Sequence, residues 1–459
     1  MNWILNEESI DLKKEQVVEL NRSLGLWSAL ALVIGTIIGS GVFVRQAAVL
    51  DQTGSVKVAL FAWLAGGIMT LAAGLTIAEV ASQMPKTGGL YYYMEKMYGR
   101  IWGFLSGWMQ IIVYGPAMIA TIAAYLGILI VDFFGINPAF KIPIAVISIT
   151  LLAILNFFSN RYGAMFAIIT TVCKLVPVLA IIALGLFFGK EQSLVQSING
   201  IQTSTGSFGV AILGTLFAYD GWILVANLGD EIKNPARRLP QAIIWGIVIV
   251  TFAYVFVSFG VFQSIGAAKV HQLGIGAIPY LASKSFGVYG GRLLSIGVII
   301  SIVGCLNGKV MTFPRIMYAM ADNRELPFSK QLSYLHPKSR TPIWSVVTIV
   351  GIAIIMIVFF DADRLSELCI FTVYCFYLMA FFGSFKLRRQ NLDRVFSVPL
   401  YPLPQLVAIG SSIFVLVSEI QNDLIGVMLS LMIVLVGVPV YWKYRNQRSI
   451  VDNKVVQER

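Results

Sequence analysis

Twelve long apolar runs constrain this chain more than any other feature of its sequence. They lie near 26–44, 58–82, 101–131, 142–158, 163–188, 207–230, 241–264, 290–320, 343–360, 363–386, 402–419 and 424–442. About 20 apolar residues cross the hydrocarbon core as a helix, and no run alternates as membrane β-strands do. The 459-residue chain is 57% hydrophobic and only 12% charged, which is too little charge for a soluble surface. The sequence therefore predicts an all-α membrane protein with 12 transmembrane helices and excludes soluble enzymes, secreted disulfide scaffolds and disordered proteins.

The distribution of Lys and Arg predicts the orientation of the chain. If residues 1–25 are cytoplasmic, connections on that side hold 23 of the 34 Lys and Arg, and external connections hold eight. Cytoplasmic loops of membrane proteins accumulate these residues. We therefore expect the tails 1–25 and 443–459 in the cytoplasm. This topology explains the net charge of +11 without a nucleic-acid partner.

The first apolar run is interrupted near its middle by Gly35-Thr-Ile-Ile-Gly-Ser-Gly41. Three glycines within seven residues weaken a helix locally. An alternative is a close helix-packing face, because Gly35 and Gly39 form a GxxxG pattern.

A second interruption, Phe217-Ala-Tyr-Asp-Gly-Trp222, lies in the sixth run, and it contains a carboxylate that is costly at this depth. The second interruption lies five runs after the first. Because five is an odd number of membrane crossings, a second repeat of five runs would be inverted in the membrane. Discontinuous helices 1 and 6 in a five-plus-five inverted repeat are typical of secondary transporters. We expect repeat one at 26–188, repeat two at 207–388 and two further helices at 402–442.

Unwinding at these positions exposes backbone groups that bind ions of opposite charge. Free N–H groups at Gly39, Ser40 and Gly41 would begin a half-helix and favour a carboxylate. Free carbonyl groups at Ile37 and Phe217 would accept hydrogen bonds from an ammonium group. A site with both properties fits the zwitterion of an α-amino acid.

Two lysines lie inside apolar runs, where a charge is costly and often functional. Lys174 is in the middle of the fifth run, too deep for its side chain to reach either interface. It either pairs with backbone carbonyls to hold helices together or places its ammonium where a coupling cation would bind. Lys309, in the eighth run, either forms a local pair or lines the inner substrate path.

No cofactor, metal site or catalytic constellation is indicated. The sequence has no Walker A motif, no nucleophile–base arrangement and no zinc-ligand spacing. The four cysteines fall inside apolar runs and are expected to be small core residues: Cys173, Cys305, Cys369 and Cys375. We therefore expect a protein that is not an enzyme.

Four motifs together resemble those of one transporter family. They are Gly35-Thr-Ile-Ile-Gly-Ser-Gly41-Val-Phe, Pro85-Lys-Thr-Gly-Gly-Leu-Tyr91, Phe217-Ala-Tyr-Asp-Gly-Trp222 and Glu231-Ile-Lys-Asn-Pro-Ala-Arg-Arg-Leu-Pro-Gln241. The chain resembles the amino acid–polyamine–organocation (APC) superfamily, in its L-amino-acid transporter branch, from about residue 24 to residue 445. The resemblance implies a LeuT-like fold and sodium-independent, obligatory exchange of neutral amino acids across a bacterial plasma membrane.

The resemblance also carries over individual residues. The first interruption matches the backbone that binds the substrate carboxylate and amine, Phe217 matches an aromatic gate, and Ala218 and Asp220 match an unwound stretch. Candidate substrate-binding residues are Thr36, Ile37, Gly39, Ser40, Gly41, Phe217, Ala218 and Asp220; candidate coupling or gating residues are Lys174, Lys309 and Phe217.

Two departures from the animal members of the branch are informative. Those members usually have Gly at the Asp220 position, so the local charge here is different. They also carry a cysteine in the loop that corresponds to 132–141, bonded to a glycoprotein heavy chain, and this loop has no cysteine. No disulfide-linked heavy chain is therefore expected.

The predicted substrates are small neutral L-amino acids, namely serine, threonine, alanine and cysteine. Three alternatives stay open. They are exchange of larger neutral amino acids, proton-coupled symport with Asp220 or Lys174 as the titrating group, and a membrane amino acid sensor that signals through the 321–342 loop.

Overall fold

The computed structural model describes residues 24–158, 160–189, 205–337, 339–389 and 395–457. Most of the predicted N-terminal tail, residues 1–23, lies outside these ranges. Within them the chain forms helices and no β-strand, apart from an isolated bridge between Leu24 and Ile232. The all-α prediction is confirmed.

Nine α-helices lie in the described part of the first half of the chain. They are α1 Leu26–Ile37, α2 Gly41–Val44, α3 Gln46–Thr53, α4 Val56–Gln83, α5 Leu90–Tyr98, α6 Arg100–Met109, α7 Gly115–Phe134, α8 Lys141–Phe158 and α9 Asn160–Phe188. A π-helical turn, Gln110–Tyr114, joins α6 to α7, and a 3₁₀ turn, Pro138–Phe140, precedes α8.

Nine further α-helices follow among the described residues from 205 onwards. They are α10 Thr205–Tyr219, α11 Pro235–Ile265, α12 Ala267–Leu273, α13 Ala277–Asp322, α14 Ser329–Leu332, α15 Ile343–Phe359, α16 Ala362–Arg389, α17 Leu403–Asn422 and α18 Leu424–Gln457. A 3₁₀ helix, Trp222–Glu231, continues α10 after a break.

The helices reproduce the apolar runs closely. Within the described ranges, eleven helical stretches are long and apolar enough to cross a membrane, and α15, from the ninth run, has 17 residues. The eighth run differs most, because α13 begins at Ala277 and bends at Gly287. The connection expected at 265–289 is therefore largely helical.

The two interrupted stretches form the centre of the bundle. In Leu26–Val44, 78% of the residues in its apolar 18-residue segment are buried, and in Phe208–Glu231 the share is 83%. The same share in Pro138–Phe157 is 22%. The first stretch packs on α9, α11 and α13. Outer helices expose large apolar side chains such as Leu179 and Phe252, as a lipid-facing surface requires.

Candidate functional site

The first stretch breaks where the glycines and hydroxyls predicted it would. Helix α1 ends at Ile37, Ile38 is extended with φ −71° and ψ 96°, and helical structure resumes at Gly41. A helix end leaves carbonyl groups without partners. The buried Lys174 ammonium on α9 donates to two of them, to Gly35 O at 2.8 Å and to Ile38 O at 2.6 Å.

The second stretch breaks at Asp220 and Gly221. Helix α10 ends at Tyr219, and Gly221 has φ +113°, a conformation that side chains other than glycine rarely adopt. A Cβ atom on Gly221 would lie 2.7 Å from Thr36 O in the first break. The Thr36 hydroxyl lies 3.1 Å from Gly221 O. The two breaks therefore contact each other directly.

Tyr254 on α11 joins the two breaks from a third helix. Its buried hydroxyl lies 3.0 Å from Ile37 O and 3.1 Å from Ala218 O. The Ile37 carbonyl, which the sequence assigned to a substrate ammonium, thus already accepts from Tyr254; a carbonyl oxygen has a second lone pair. The Phe217 carbonyl accepts from the Asp220 N–H at 3.2 Å.

Asp220 is held in a buried polar cluster. Its carboxylate oxygens lie 2.7 and 2.8 Å from the Tyr114 hydroxyl, which donates to the group. The Lys309 ammonium on α13 lies 3.3 Å from Oδ2, and the two charged side chains are 1% and 2% exposed. Tyr114 ends the π-helical turn, and such turns are frequent at functional sites.

A central cavity of about 10 Å³ lies between the two breaks. All eight candidate substrate-binding residues line it, together with Lys309; the sequence missed three further lining residues, Met118, Ile122 and Cys305. The cavity is smaller than the ~300 Å³ at which drug-sized sites begin. Lys174 does not line it and lies behind the first break. The buried Cys305 thiol lies 3.1 Å from Thr36 O.

The first break also presents unpaired polar groups to this cavity. Within the described residues, the backbone N–H groups of Gly39, Ser40 and Gly41 donate no hydrogen bond. The Ser40 hydroxyl is buried and has no partner in the same part of the chain. Buried polar groups without partners are uncommon in folded proteins. These groups are therefore available to a ligand in the central cavity.

Phe217 separates the central cavity from a larger outer vestibule. The vestibule has a volume of about 370 Å³ and is lined by Phe217, Arg45, Arg364, Ser366, Glu419 and Asp423, among others. The Arg45 guanidinium lies 5.3 Å from the centroid of the Phe217 ring, and its Nη2 lies 2.5 Å from Ser366 Oγ. A displacement of Phe217 would join the two spaces.

The opposite end of the bundle, which carries Leu24, is closed by polar contacts. Arg315 Nε donates to Glu231 Oε1 at 2.7 Å, and Leu24 N donates to Glu231 O at 2.9 Å. The buried Tyr91 hydroxyl donates to Glu325 at 2.8 Å. These contacts join α13 and the residues that follow it to the end of the second stretch and to α5.

No metal centre is found among the described residues, where no group of three or more His, Cys, Asp or Glu side chains lies close enough to hold an ion.

Comparisons with known proteins give a consistent result. The family model "Amino acid permease" matches residues 24–436. The serine/threonine exchanger SteT of Bacillus subtilis is 47% identical over 94% of this chain and 98% of its own length. The human cystine/glutamate transporter is 29% identical over 94% of this chain and 86% of its own, and the mouse b(0,+)-type amino acid transporter 1 is 30% identical over 91% and 86%.

Proposed function

Because this chain belongs to the amino acid permease family, we propose that it is a sodium-independent exchanger of small neutral L-amino acids. Its family and its relatives are transporters. The expectations of an APC-superfamily member, of a membrane transporter and of a protein that is not an enzyme are therefore confirmed. The substrate, the exchange mode and the roles of individual residues belong to the proposal.

The observation that carries the proposal is the central cavity between the two breaks. The substrate carboxylate would accept hydrogen bonds from the N–H groups of Gly39, Ser40 and Gly41, which no described residue uses. The ammonium group would donate to the carbonyl groups of Ile37 and Phe217, which also line the cavity. The short side chain would face Met118 and Ile122, among others.

The substrate class is chosen on size, charge and relationship. The SteT relative, 47% identical, carries the name of a serine/threonine exchanger. The small cavity favours serine, threonine, alanine and cysteine over aromatic amino acids and over large branched-chain amino acids such as leucine. The two charged residues that line it are paired with each other, so a neutral side chain is favoured.

Lys174 is assigned the role of a fixed cation in this proposal. Its ammonium binds two carbonyl oxygens at the first break, as a coupling cation coordinated by backbone oxygens would. A cationic side chain at this place makes a bound sodium ion unnecessary. Since Lys174 lies behind the break, it acts on the substrate through the backbone that it holds.

We further propose a LeuT-like arrangement of 12 membrane helices, with an inverted repeat of 26–188 and 207–388 followed by 402–442. Both tails, 1–25 and 443–459, would lie in the cytoplasm of a bacterial cell, as the 23 Lys and Arg on that side indicate. The vestibule would then face outwards. The loop 132–141 has no cysteine, so the protein would work without a disulfide-linked heavy chain.

Proteoliposomes that contain the purified protein test the exchange mode. We expect uptake of radiolabelled serine into vesicles loaded with unlabelled serine, unchanged when choline replaces sodium, and almost none into empty vesicles. Uptake into empty vesicles under an inward proton gradient would instead establish proton-coupled symport. A competition panel of twenty amino acids tests the substrate class, and stronger competition by leucine or phenylalanine than by alanine would overturn the preference for small substrates.

A further inference from the structure

We propose that the Lys309–Asp220 pair determines the charge of the substrate side chain that this site accepts. The inference rests on the proposed function, because it concerns the selectivity of the same central cavity. In its strongest form it states that the site selects neutral side chains because each buried charge neutralises the other. Either charge, once unpaired, would recruit a substrate of opposite charge.

The composition of the cavity wall supports this inference. Of the twelve lining residues, Asp220 and Lys309 are the two that carry a charge, and the other ten are neutral. Both side chains are almost fully buried, at 2% and 1% exposure, and their charged atoms are 3.3 Å apart. The substrate therefore meets a wall that contains both signs of charge and no net charge.

The two charges lie on different structural elements. Asp220 is in the break of the sixth run, and Lys309 is on α13. Tyr114, from a third element, donates to the carboxylate and fixes its orientation. Loss of Lys309 would thus leave the Asp220 carboxylate in place at the cavity wall, where Tyr114 still holds it.

Elementary electrostatics then gives the direction of each change. A buried charge that loses its partner is strongly destabilised, and a ligand of opposite charge removes that penalty. Lys309→Ala leaves a carboxylate and empty space, which favours a cationic side chain. Asp220→Asn leaves an ammonium, which favours an anionic side chain.

The experiment compares substrates that match in size but differ in charge. Inhibition of serine exchange is measured for homoserine against 2,4-diaminobutyrate, a neutral and a cationic pair, and for asparagine against aspartate, a neutral and an anionic pair. The ratio compared is the inhibition by the charged member of each pair divided by the inhibition by the neutral member. We expect Lys309→Ala to raise the ratio of 2,4-diaminobutyrate to homoserine, and Asp220→Asn to raise the ratio of aspartate to asparagine. Each ratio should rise by about tenfold, as one charge-assisted hydrogen bond gives. Lys309→Arg should keep the preference for neutral substrates.

A matched control separates this selectivity from a general effect of breaking a buried pair. Arg315 is on the same helix as Lys309 and pairs with Glu231, but neither of them lines the central cavity. Arg315→Gln should leave both ratios unchanged, whatever its effect on rate. If a variant does not exchange, ligand-induced thermal stabilisation of the purified protein gives the same ratios.

Unchanged ratios in both Lys309→Ala and Asp220→Asn, in folded protein that binds serine, would overturn the inference. Equal shifts in Arg315→Gln would overturn it as well, because the effect would then not be local. Failure of the proposed function is distinguishable, since the wild-type protein would then not exchange serine in the first place.

Discussion

Lys174→Ala is the substitution that tests the first break most directly. The ammonium donates to Gly35 O and Ile38 O over 2.8 and 2.6 Å, on either side of the point where α1 ends. Its removal leaves these two carbonyl groups without the partner that holds them. The non-helical stretch 38–40 would then lose the contact that fixes its shape. Two of the three N–H groups proposed to bind the substrate, those of Gly39 and Ser40, belong to this stretch.

The magnitude follows from the number of contacts. A hydrogen bond that involves a charged group contributes about 1.5–3 kcal/mol, so the two contacts stabilise the ordered break by roughly 3–6 kcal/mol. This range corresponds to about 10²–10⁴-fold in the population of the competent conformation. We expect exchange to fall by at least roughly 100-fold. The free energy of unfolding should change less, because burial of the ammonium is itself unfavourable and that penalty disappears with it.

The assay is serine exchange in proteoliposomes, with the amount of folded protein measured by size-exclusion chromatography. Lys284→Ala is the matched control. Lys284 is exposed, donates to Ser264 O and does not line the central cavity. Near-normal exchange by a folded Lys174→Ala protein would refute the reasoning. Loss of exchange in Lys284→Ala would show that lysine removal acts through a global effect.

Two further substitutions test the junction of the breaks. Tyr254→Phe removes the hydroxyl near Ile37 O and Ala218 O. We expect serine exchange to fall about two- to tenfold, because one neutral hydrogen bond is lost. Equal exchange rates for wild type and variant would contradict a role of Tyr254 in joining the breaks. Gly41→Val should abolish substrate-induced thermal stabilisation, because a Cβ atom there would lie 2.5 Å from Ala218 Cα. Gly410→Val, with open space around its Cβ position, is the control, and undiminished stabilisation in Gly41→Val would place the carboxylate elsewhere.

The apolar pattern predicts the helices well because membrane-spanning helices must satisfy their own backbone hydrogen bonds in lipid. Length and hydropathy therefore fix most helix bounds without any tertiary information. The first predicted run, 26–44, coincides with the stretch Leu26–Val44. The eighth predicted run, 290–320, begins later than the helix it corresponds to, because α13 already begins at Ala277. The residues between contain Pro279, Lys284 and Gly287, which are typical of a connection rather than of a membrane helix.

The positions of the breaks were also accessible to sequence reasoning. Gly35, Gly39 and Gly41 weaken the first helix, and Gly221 permits the left-handed turn after Asp220. These are local effects, which the chain encodes within a few residues. All eight candidate substrate-binding residues consequently line one cavity, although their binding of substrate remains a prediction.

The partners of those residues could not be predicted, because they come from distant parts of the chain. Tyr254 is an aromatic residue in an apolar run, and nothing in its neighbourhood distinguishes it from lipid-facing aromatics such as Phe252. The pairing of Lys309 with Asp220 spans 89 residues. The buried Tyr91 hydroxyl contacts Glu325, which lies 234 residues further along the chain. Such pairings depend on helix packing, which a single sequence does not specify.

The contacts between the breaks also bear on how the proposed exchange would proceed. Thr36 with Gly221 and Gly41 with Ala218 place the two breaks in direct contact, so a ligand at the first break meets the second as well. The closures at the two ends have no residue in common, because one uses Arg45 with Phe217 and Ser366, and the other uses Arg315 with Glu231. Opening of one end would therefore not require the contacts of the other end to break. An exchanger that opens to the two sides in turn, and changes sides with substrate bound, would need this combination of a shared centre and independent ends.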